Sequence, residues 1–184
     1  MRKAIAASLA AAAMALGSPA AAKTTADTLL DRIQIEDLLV SYYSHFGGEG
    51  GEDFARYYTE DAVFDVNGIV SEGRAAIVAL YDGMGDANPA SQGTFHMIVS
   101  NLAIDVHEGG RTATATMLWT GVTNGAIGDP PRLAEQGREY DYLVKQDGEW
   151  LIRKRVVIAD SGLPEMFRET YDPRMDYDIT EGME

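Results

Sequence analysis

The chain has 184 residues, no cysteine and a formal net charge of −14 at pH 7. Such an acidic surface repels phosphate groups, so nucleic acids and anionic membranes are excluded as partners. Without disulfides a hydrophobic core alone must hold the fold, and the length is sufficient for one domain with one such core.

Residues 1–22 have the pattern of a secretory signal peptide. Met1-Arg2-Lys3 is basic, residues 4–17 are apolar, and Ala20-Ala21-Ala22 offers a small-residue cleavage site. The apolar run is too short to span a bilayer. We therefore expect cleavage after Ala22 and a mature protein in the periplasm or outside the cell. Residues 23–160 would then form the domain, and residues 161–184 a C-terminal tail.

Helical spacing dominates the first half of the mature chain. In residues 27–46 apolar side chains recur every three or four positions, which predicts a helix that the glycine-rich residues 47–51 end. Residues 53–58 fit a short second helix, and residues 73–84 a third. Between these two, Asn67-Gly68 separates two short β-prone runs and predicts a tight hairpin within residues 62–71.

The second half is predicted to form long strands, at residues 95–106, 111–124, 138–145 and 150–159, with a loop at 125–136. Long strands joined by hairpins make a curved antiparallel sheet, and the three preceding helices must cover its concave face. The predicted fold is an α+β cone with a pocket between helices and sheet. The tail is expected either to fold as a lid over the pocket mouth or to stay partly disordered.

His96 lies in the middle of the predicted strand 95–106. Both faces of that strand are mostly apolar, so we expect it to be covered on both sides and the imidazole to be buried. Histidine has an unperturbed pKa near ~6.5, which suits proton transfer at neutral pH. The alternative interpretation is a core histidine whose ring is satisfied by a backbone carbonyl.

The end of the first helix carries further candidates. Tyr42 and Tyr43 are about 100° apart on it, so at most one of them points straight into the cone. His45 lies one turn beyond Tyr42 on the same face, which allows a group of Tyr42, His45 and His96. His45 could equally cap the helix end, where a cation is favourable.

The third long strand places charges among aromatic residues. Tyr140 shares a face with Tyr142, whereas Asp141 lies on the other face with Glu139 and Leu143. Asp141 is expected to be either a surface residue on the convex side or a buried partner of His96.

Three arginines and a tryptophan complete the set of candidates. Arg138, Arg153 and Arg155 are expected to be solvated, or one of them to bind an anionic or phenolic oxygen at the pocket mouth. Trp119 is expected to form a core or pocket wall, which would suit a hydrophobic, aromatic ligand.

Metal and cofactor motifs are not found in the sequence. The three histidines lack the spacing of a zinc site, and no glycine-rich nucleotide-binding loop or G-x-S-x-G elbow occurs. We therefore expect no metal, no cofactor and no acyl-enzyme chemistry.

Several segments together resemble the SnoaL-like branch of the NTF2-like superfamily. They are residues 35–42 (IEDLLVSY), 58–64 (YTEDAVF), Gly73-Arg74, 95–101 (FHMIVSN) and 140–155. The resemblance covers roughly residues 27–160 and implies the NTF2-like cone. Its functional implication is broad, because the superfamily includes dehydratases, isomerases, polyketide cyclases, dioxygenase small subunits and binding proteins.

Scytalone dehydratase and the bile-acid dehydratases are the catalytic relatives that the motifs most resemble. The resemblance implies that His96 is a general base or acid and that Tyr42 polarises or protonates an oxygen. An acidic residue often follows that tyrosine by five positions, but here the position is Gly47. Either His45, Glu49, Glu52 or Asp141 supplies that role, or the site works differently.

Asn101 matches a recurring asparagine of the family. It has the opposite strand parity to His96, so both residues can face the pocket only if a bulge intervenes.

The resemblance implies a cofactor-independent lyase that eliminates water or formaldehyde from a hydrophobic, hydroxylated aromatic small molecule. His96, Tyr42, His45 and Asp141 are the expected catalytic residues. The expected substrate-binding residues are Tyr43, Tyr58, Trp119, Tyr140, Asn101 and Arg155. The alternative is a non-catalytic binding module or oligomer partner with the same pocket. A homodimer or higher homo-oligomer, paired through the outer face of the sheet, is also expected.

Overall fold

The fold was analysed in a computed structural model that describes residues 24–44, 51–84, 95–173 and 177–183. The predicted signal peptide, His45, Gly47 and Glu49 lie outside the described residues, and so does the side chain of Glu52. Among the described residues, no helix is both long and apolar enough to cross a bilayer.

Three helices and six strands make up the described fold. The helices are α1 (Leu29–Ser44), α2 (Gly51–Ala55) and α3 (Arg74–Met84). The strands are β1 (Tyr58–Val66), β2 (Ile69–Glu72), β3 (Phe95–Val106), β4 (Thr112–Thr123), β5 (Arg132–Gln146) and β6 (Glu149–Ser161). A single 3-10 turn, Glu165–Phe167, follows in the tail.

The described strands form one curved, unclosed sheet in the order β2-β1-β6-β5-β4-β3. Neighbouring strands are antiparallel except for β1 and β6, which run parallel. The sequence predicted a purely antiparallel sheet. The difference arises because β6, the last of the long antiparallel strands, also pairs along its other edge with β1 of the first hairpin.

The helices reach the sheet at its two sides. Helix α1 contacts β3 and β6, α3 contacts β1 and β2, and α2 packs against α3. Ile35, Leu39 and Tyr42 are the buried residues of α1 and recur at the spacing of one helix face. We call the sheet face on which these residues pack the inner face.

Strand β3 contains a β-bulge that overturns one expectation. Before the bulge, side chains alternate between the two faces, and Phe95 and Val99 lie on the inner face. The register with β4 shifts after Ser100. Asn101 is the extra residue, with a φ of 53°, and Leu102 then resumes the inner face. His96 therefore lies on the outer face and is exposed, so the expectation of a buried imidazole is wrong.

The neighbours of His96 show the same exposure. Ile98 shares its face and is 53% exposed, so β3 is not covered on both sides as its apolar composition suggested.

Strand β5 is longer than predicted. Its first residues, 132–136, were expected to belong to a loop, but Arg132 pairs with Thr123 and Glu135 with Gly121 of β4. The glycine and proline residues of the predicted loop lie before residue 132. Residues 132–136 therefore lengthen β5 and the sheet beside β4.

The tail packs along the protein surface. Leu163 and Phe167 contact the main hydrophobic core. Beyond them, Tyr171, Tyr177 and Ile179 pack against β6 residues on the outer face. The sequence left open a lid or partial disorder, and this outer-face position was not foreseen.

The turn between β1 and β2 ties β6 to the tail. Asn67 and Gly68 have φ angles of 52° and 88°, which confirms the predicted tight hairpin. The backbone N–H of Ala159 donates to the side-chain oxygen of Asn67 at 2.8 Å, and Thr170 Oγ1 donates to the Asn67 carbonyl at 2.9 Å. A Cβ atom at Gly68 would lie 2.0 Å from the Thr170 carbonyl oxygen.

We expect Gly68→Ala to destabilise the protein more than Gly148→Ala. Both glycines have left-handed φ angles, 88° and 91°, so each substitution carries the same backbone strain of about 1 kcal/mol. A Cβ at Gly148 meets nothing within 4 Å, whereas one at Gly68 must displace Thr170. Urea unfolding of both variants measures the difference, and equal losses would contradict the docking of the tail on this turn.

Candidate functional site

Three ionisable side chains meet on the inner face of β5 and β6. Glu139, Asp141 and Arg155 are each 0% exposed. Arg155 Nε lies 2.7 Å from Asp141 Oδ1 and Nη2 lies 3.2 Å from Oδ2, so the guanidinium binds Asp141 through two hydrogen bonds. Nη2 is also 3.0 Å from Glu139 Oε1. Direct pairing of Asp141 with Arg155 across the strands places these side chains beside each other.

Four tyrosines surround these charges. The hydroxyls of Tyr42 on α1 and Tyr81 on α3 are hydrogen-bonded, and Tyr58 of β1 donates to Tyr42 at 3.3 Å. Tyr43 donates to Glu139 Oε2. The guanidinium carbon of Arg155 lies 4.1 Å from the centre of the Tyr42 ring, a cation–π contact. We call these four tyrosines, with Glu139, Asp141 and Arg155, the inner polar cluster.

Burial sets the protonation of the inner polar cluster. It raises the pKa of Glu139 to about 8; Arg155 opposes this rise and the Asp141 carboxylate adds to it. Glu139 is therefore mostly a neutral carboxylic acid at pH 7. Burial also raises the pKa of the Tyr42 hydroxyl, which stays protonated. The single positive charge of Arg155 is thus balanced by the single negative charge of Asp141.

Three buried polar atoms near this cluster have no hydrogen-bond partner within the described part of the chain. They are Arg155 Nη1, Glu139 Oε1 and the indole nitrogen of Trp119. Leaving such an atom unpaired costs about 1–3 kcal/mol, so native structures rarely do so without a reason. Arg155 Nη1 and the indole nitrogen of Trp119 are therefore donors that the described residues leave unused.

An aromatic floor adjoins the cluster on the inner face. The ring of Phe95 lies over Gly121, where a Cβ would be 2.6 Å from Phe95 Cζ. The ring of Trp119 lies over Gly137, where a Cβ would be 2.5 Å from Trp119 Cζ2. The lack of a Cβ at these two glycines lets the large rings approach the backbone of the neighbouring strands closely. We call these two rings the aromatic floor. It is apolar, and Trp119 pairs with Gly137, which precedes Glu139 by two residues on the same face of β5.

The structure brings together many of the predicted site residues. Tyr42, Tyr43, Tyr58, Asp141 and Arg155 all belong to the inner polar cluster. Asp141 is neither a surface residue nor a partner of His96, because its partner is Arg155. Arg155 is not solvated or at a pocket mouth but completely buried. Trp119 is buried on the inner face, as a core or pocket wall would be.

Other predicted site residues lie elsewhere. His96 and Asn101 are exposed, and the bulge between them does not bring both to the inner face. Tyr140 lies on the outer face, with its ring centre 5.9 Å from that of Tyr177 in the tail. His45 lies outside the described residues.

Two members of the cluster were not predicted as site residues. Glu139 has the same strand parity as Asp141, and two acids on one face of a predicted strand were the signal available in the sequence. Tyr81 lies one turn beyond the buried Ile77 on α3, but nothing in its spacing distinguishes it from an ordinary core tyrosine.

The described residues contain no group of three potential ligands that could hold a metal ion. Within the cluster, the guanidinium between the two carboxyl groups would also repel a cation.

Comparison with protein families identifies the chain. Residues 27–156 match the SnoaL-like domain. The chain belongs to the SnoaL-like family. No curated protein matches it.

Solved structures share the fold of this SnoaL-like protein. A candidate scytalone dehydratase from Novosphingobium aromaticivorans is 20% identical, with a TM-score of 0.65 over 84% of this chain and 100% of that one. Rv3472 of Mycobacterium tuberculosis, a protein of unknown function, is 25% identical, with a TM-score of 0.61 over 73% and 74%. ActVI-ORFA of Streptomyces coelicolor is 23% identical, with a TM-score of 0.61 over 72% and 97%.

The raised pKa of Glu139 predicts a pH-dependent stability. In the folded protein this carboxyl keeps its proton up to about pH 8, whereas an unfolded glutamate loses it near ~4.3. The folded state therefore binds one more proton in this range, and the free energy of unfolding falls as the pH rises, by up to about 1.4 kcal/mol per unit.

Glu139→Gln removes this contribution, so we expect the variant to lose less stability than the wild type between about pH 5 and 8. Urea unfolding at several pH values measures both slopes. Equal slopes would contradict a neutral Glu139.

Proposed function

We propose that this SnoaL-like protein is a cofactor-independent lyase. It would eliminate water or formaldehyde from a hydrophobic, hydroxylated aromatic small molecule by general acid–base catalysis. The observation that carries this proposal is Glu139, a buried neutral acid whose Oε1 lies 3.0 Å from Arg155 Nη2, beside the unpaired Arg155 Nη1.

Glu139 is the proposed general acid. Tyr43 donates to Oε2, so the acidic proton would be carried by Oε1, which lies 3.0 Å from Arg155 Nη2. A substrate hydroxyl placed against Oε1 would receive this proton as its C–O bond breaks, and water would leave. Proton transfer by a positioned acid contributes about 10²–10⁴-fold to a rate.

Arg155 would stabilise negative charge that develops on the substrate. Its Nη1 is an unused donor, while Asp141 and the Tyr42 ring hold the rest of the guanidinium in place. A donor fixed in a buried site stabilises an enolate or phenolate oxygen more strongly than water does. The Asp141 carboxylate is a positioning residue in this scheme.

Phe95 and Trp119 are buried aromatic side chains near the inner polar cluster, and such a lining would suit an aromatic substrate. The neighbouring fold of a candidate scytalone dehydratase is consistent with elimination chemistry. Because that protein is only 20% identical, this likeness supports the fold and not the substrate.

A binding module is the second candidate. The observation that favours it is the complete burial of the Asp141–Arg155 pair, which is also what a purely structural ion pair would show. Such a protein would hold the same class of ligand without converting it.

Export and self-association remain predictions of the sequence. We propose that the chain is exported and that the mature protein begins at Lys23. N-terminal sequencing of protein recovered from the periplasm of a bacterial host should give Lys-Thr-Thr, and an intact Met1 would contradict export by cleavage. A homodimer or higher homo-oligomer stays a prediction.

Glu139→Gln is the first test of the lyase. The wild type, residues 23–184, is incubated with a panel of hydroxylated aromatic and steroid-like compounds, and loss of water or formaldehyde is followed by mass. We expect the variant to lose at least about 100-fold in kcat, because glutamine keeps the shape of a neutral carboxyl but has no acidic proton.

His96→Ala is the matched control. His96 is exposed on the outer face, so this variant should keep its rate within about threefold. Binding of panel compounds without conversion by the wild type would favour the binding module. Loss of the rate in His96→Ala alone would show that the inner polar cluster is not the reacting site.

A further inference from the structure

An open groove of about 500 Å³ runs along helix α1, outside the inner polar cluster. Pockets of about 300–1,000 Å³ commonly hold small ligands. One wall is a face of α1 that differs from the buried face with Ile35, Leu39 and Tyr42. This wall is formed by Gln34, Asp37, Leu38 and Ser41. The opposite wall begins at Gly148 in the β5–β6 turn, and we call the space between the walls the side groove.

One end of the side groove is acidic. The indole nitrogen of Trp150 donates to Asp31 Oδ1 at 3.1 Å, which places the start of β6 beside the start of α1. Glu149 therefore lies at the end of the groove nearest the N-terminus of α1, and Asp37 follows along the helix. Both carboxylates are exposed, and neither side chain makes an ion pair or hydrogen bond with another described residue.

The other end of the side groove is basic. Ser41 Oγ lies 3.0 Å from the hydroxyl of Tyr57, which accepts a hydrogen bond from Arg56 Nη2 at 2.9 Å. The guanidinium carbon of Arg56 lies 4.9 Å from the centre of the Tyr57 ring. Because Tyr57 is buried, it gives the exposed guanidinium a fixed support at this end. A guanidinium carries five N–H donors, which is enough to bind a carboxylate in addition to Tyr57.

Apolar side chains line the side groove beside its charged groups. Leu38 of α1 and Leu151 of β6 are half-buried and face this space. Along α1, Asp37 precedes Ser41 by four residues, which is a rise of about 6 Å. Two residues of extended peptide span at most about 7 Å, so the two charged ends of a dipeptide have the separation that the groove requires. A single amino acid carries both charges on one carbon atom and cannot reach both ends.

We propose that the side groove binds a short zwitterionic peptide, namely a dipeptide with apolar side chains. Its ammonium group would lie at Asp37 and Glu149, its carboxylate would bind Arg56 and Ser41, and its side chains would pack on the two leucines. Charge complementarity selects this class of ligand, because a dication would meet the guanidinium at one end and a dianion would meet the carboxylates at the other. The site is separate from the inner polar cluster, so this inference does not depend on the proposed lyase activity.

Calorimetric titration of the protein with alanyl-leucine tests the charge requirement. Two blocked peptides are the comparison, since N-acetyl-alanyl-leucine lacks the ammonium group and alanyl-leucinamide lacks the carboxylate. We expect alanyl-leucine to bind saturably, and each blocked peptide and free leucine to bind at least about 10-fold more weakly, because hydrogen bonds between charged groups are the strongest in such a site. No saturation by alanyl-leucine up to about 10 mM, or equal affinity for a blocked peptide, would overturn the proposal.

Two substitutions assign the ends of the peptide to the ends of the side groove. Asp37→Asn should weaken binding of alanyl-leucine by about 10-fold and leave the acetylated peptide unaffected, because that peptide has no ammonium group. Arg56→Gln should weaken binding of alanyl-leucine to a similar extent and leave alanyl-leucinamide unaffected, whereas Arg56→Lys should retain more of the affinity. Both residues are exposed, so neither substitution removes a buried contact of the substituted side chain.

Glu169→Gln is the matched control for net charge. Glu169 is an exposed carboxylate of the tail, next to Thr170 at the β1–β2 turn, and it does not line the side groove. This variant loses the same charge as Asp37→Asn and should keep the affinity for alanyl-leucine within about twofold. An equal loss in both variants would reveal an effect of overall charge, and unchanged affinity in both Asp37→Asn and Arg56→Gln would place the peptide elsewhere. Either result overturns the proposal.

Discussion

The interior of this protein depends on one guanidinium enclosed between two carboxyl groups. Arg155 is bound twice by Asp141, contacts Glu139 and stacks on Tyr42, with no exposure to solvent. Removing one member of a buried ion pair typically costs about 3–5 kcal/mol, because the remaining charge has no partner. Arg155 therefore fixes the positions of strands β5 and β6 against helix α1, and the proposed function depends on that arrangement.

Charge neutrality explains why such a group can be buried in a cysteine-free domain. One arginine faces two carboxyls, and burial leaves one of these protonated. In a purely structural core, a neutral acid would lower the stability relative to an apolar side chain, which packs as well and has no polar atoms that need hydrogen bonds. The protonated Glu139 beside the unpaired Arg155 Nη1 is the physical basis of the proposed acid–base role.

The sequence predicted the fold better than the site. Helical spacing gave α1 and α3, and Asn67-Gly68 gave the hairpin, because both patterns depend on local backbone preferences. The parallel pairing of β1 with β6 joins residues distant in the chain, so no local pattern reports it. Tyr42 was predicted from the family resemblance. Arg155 was expected to be solvated, because its burial depends on the carboxyl groups of the neighbouring strand, which its own segment of sequence does not show.

The bulge at Asn101 has a consequence for how such sites diverge. One additional residue in β3 shifts every preceding side chain to the opposite face. Deleting Asn101 would restore simple alternation, turning His96 inwards and Phe95 out towards solvent. A change of one codon would thus exchange a phenylalanine floor for an imidazole. Within this architecture, one insertion or deletion can change which side chains of a strand face the interior while the remaining residues of the strand stay the same.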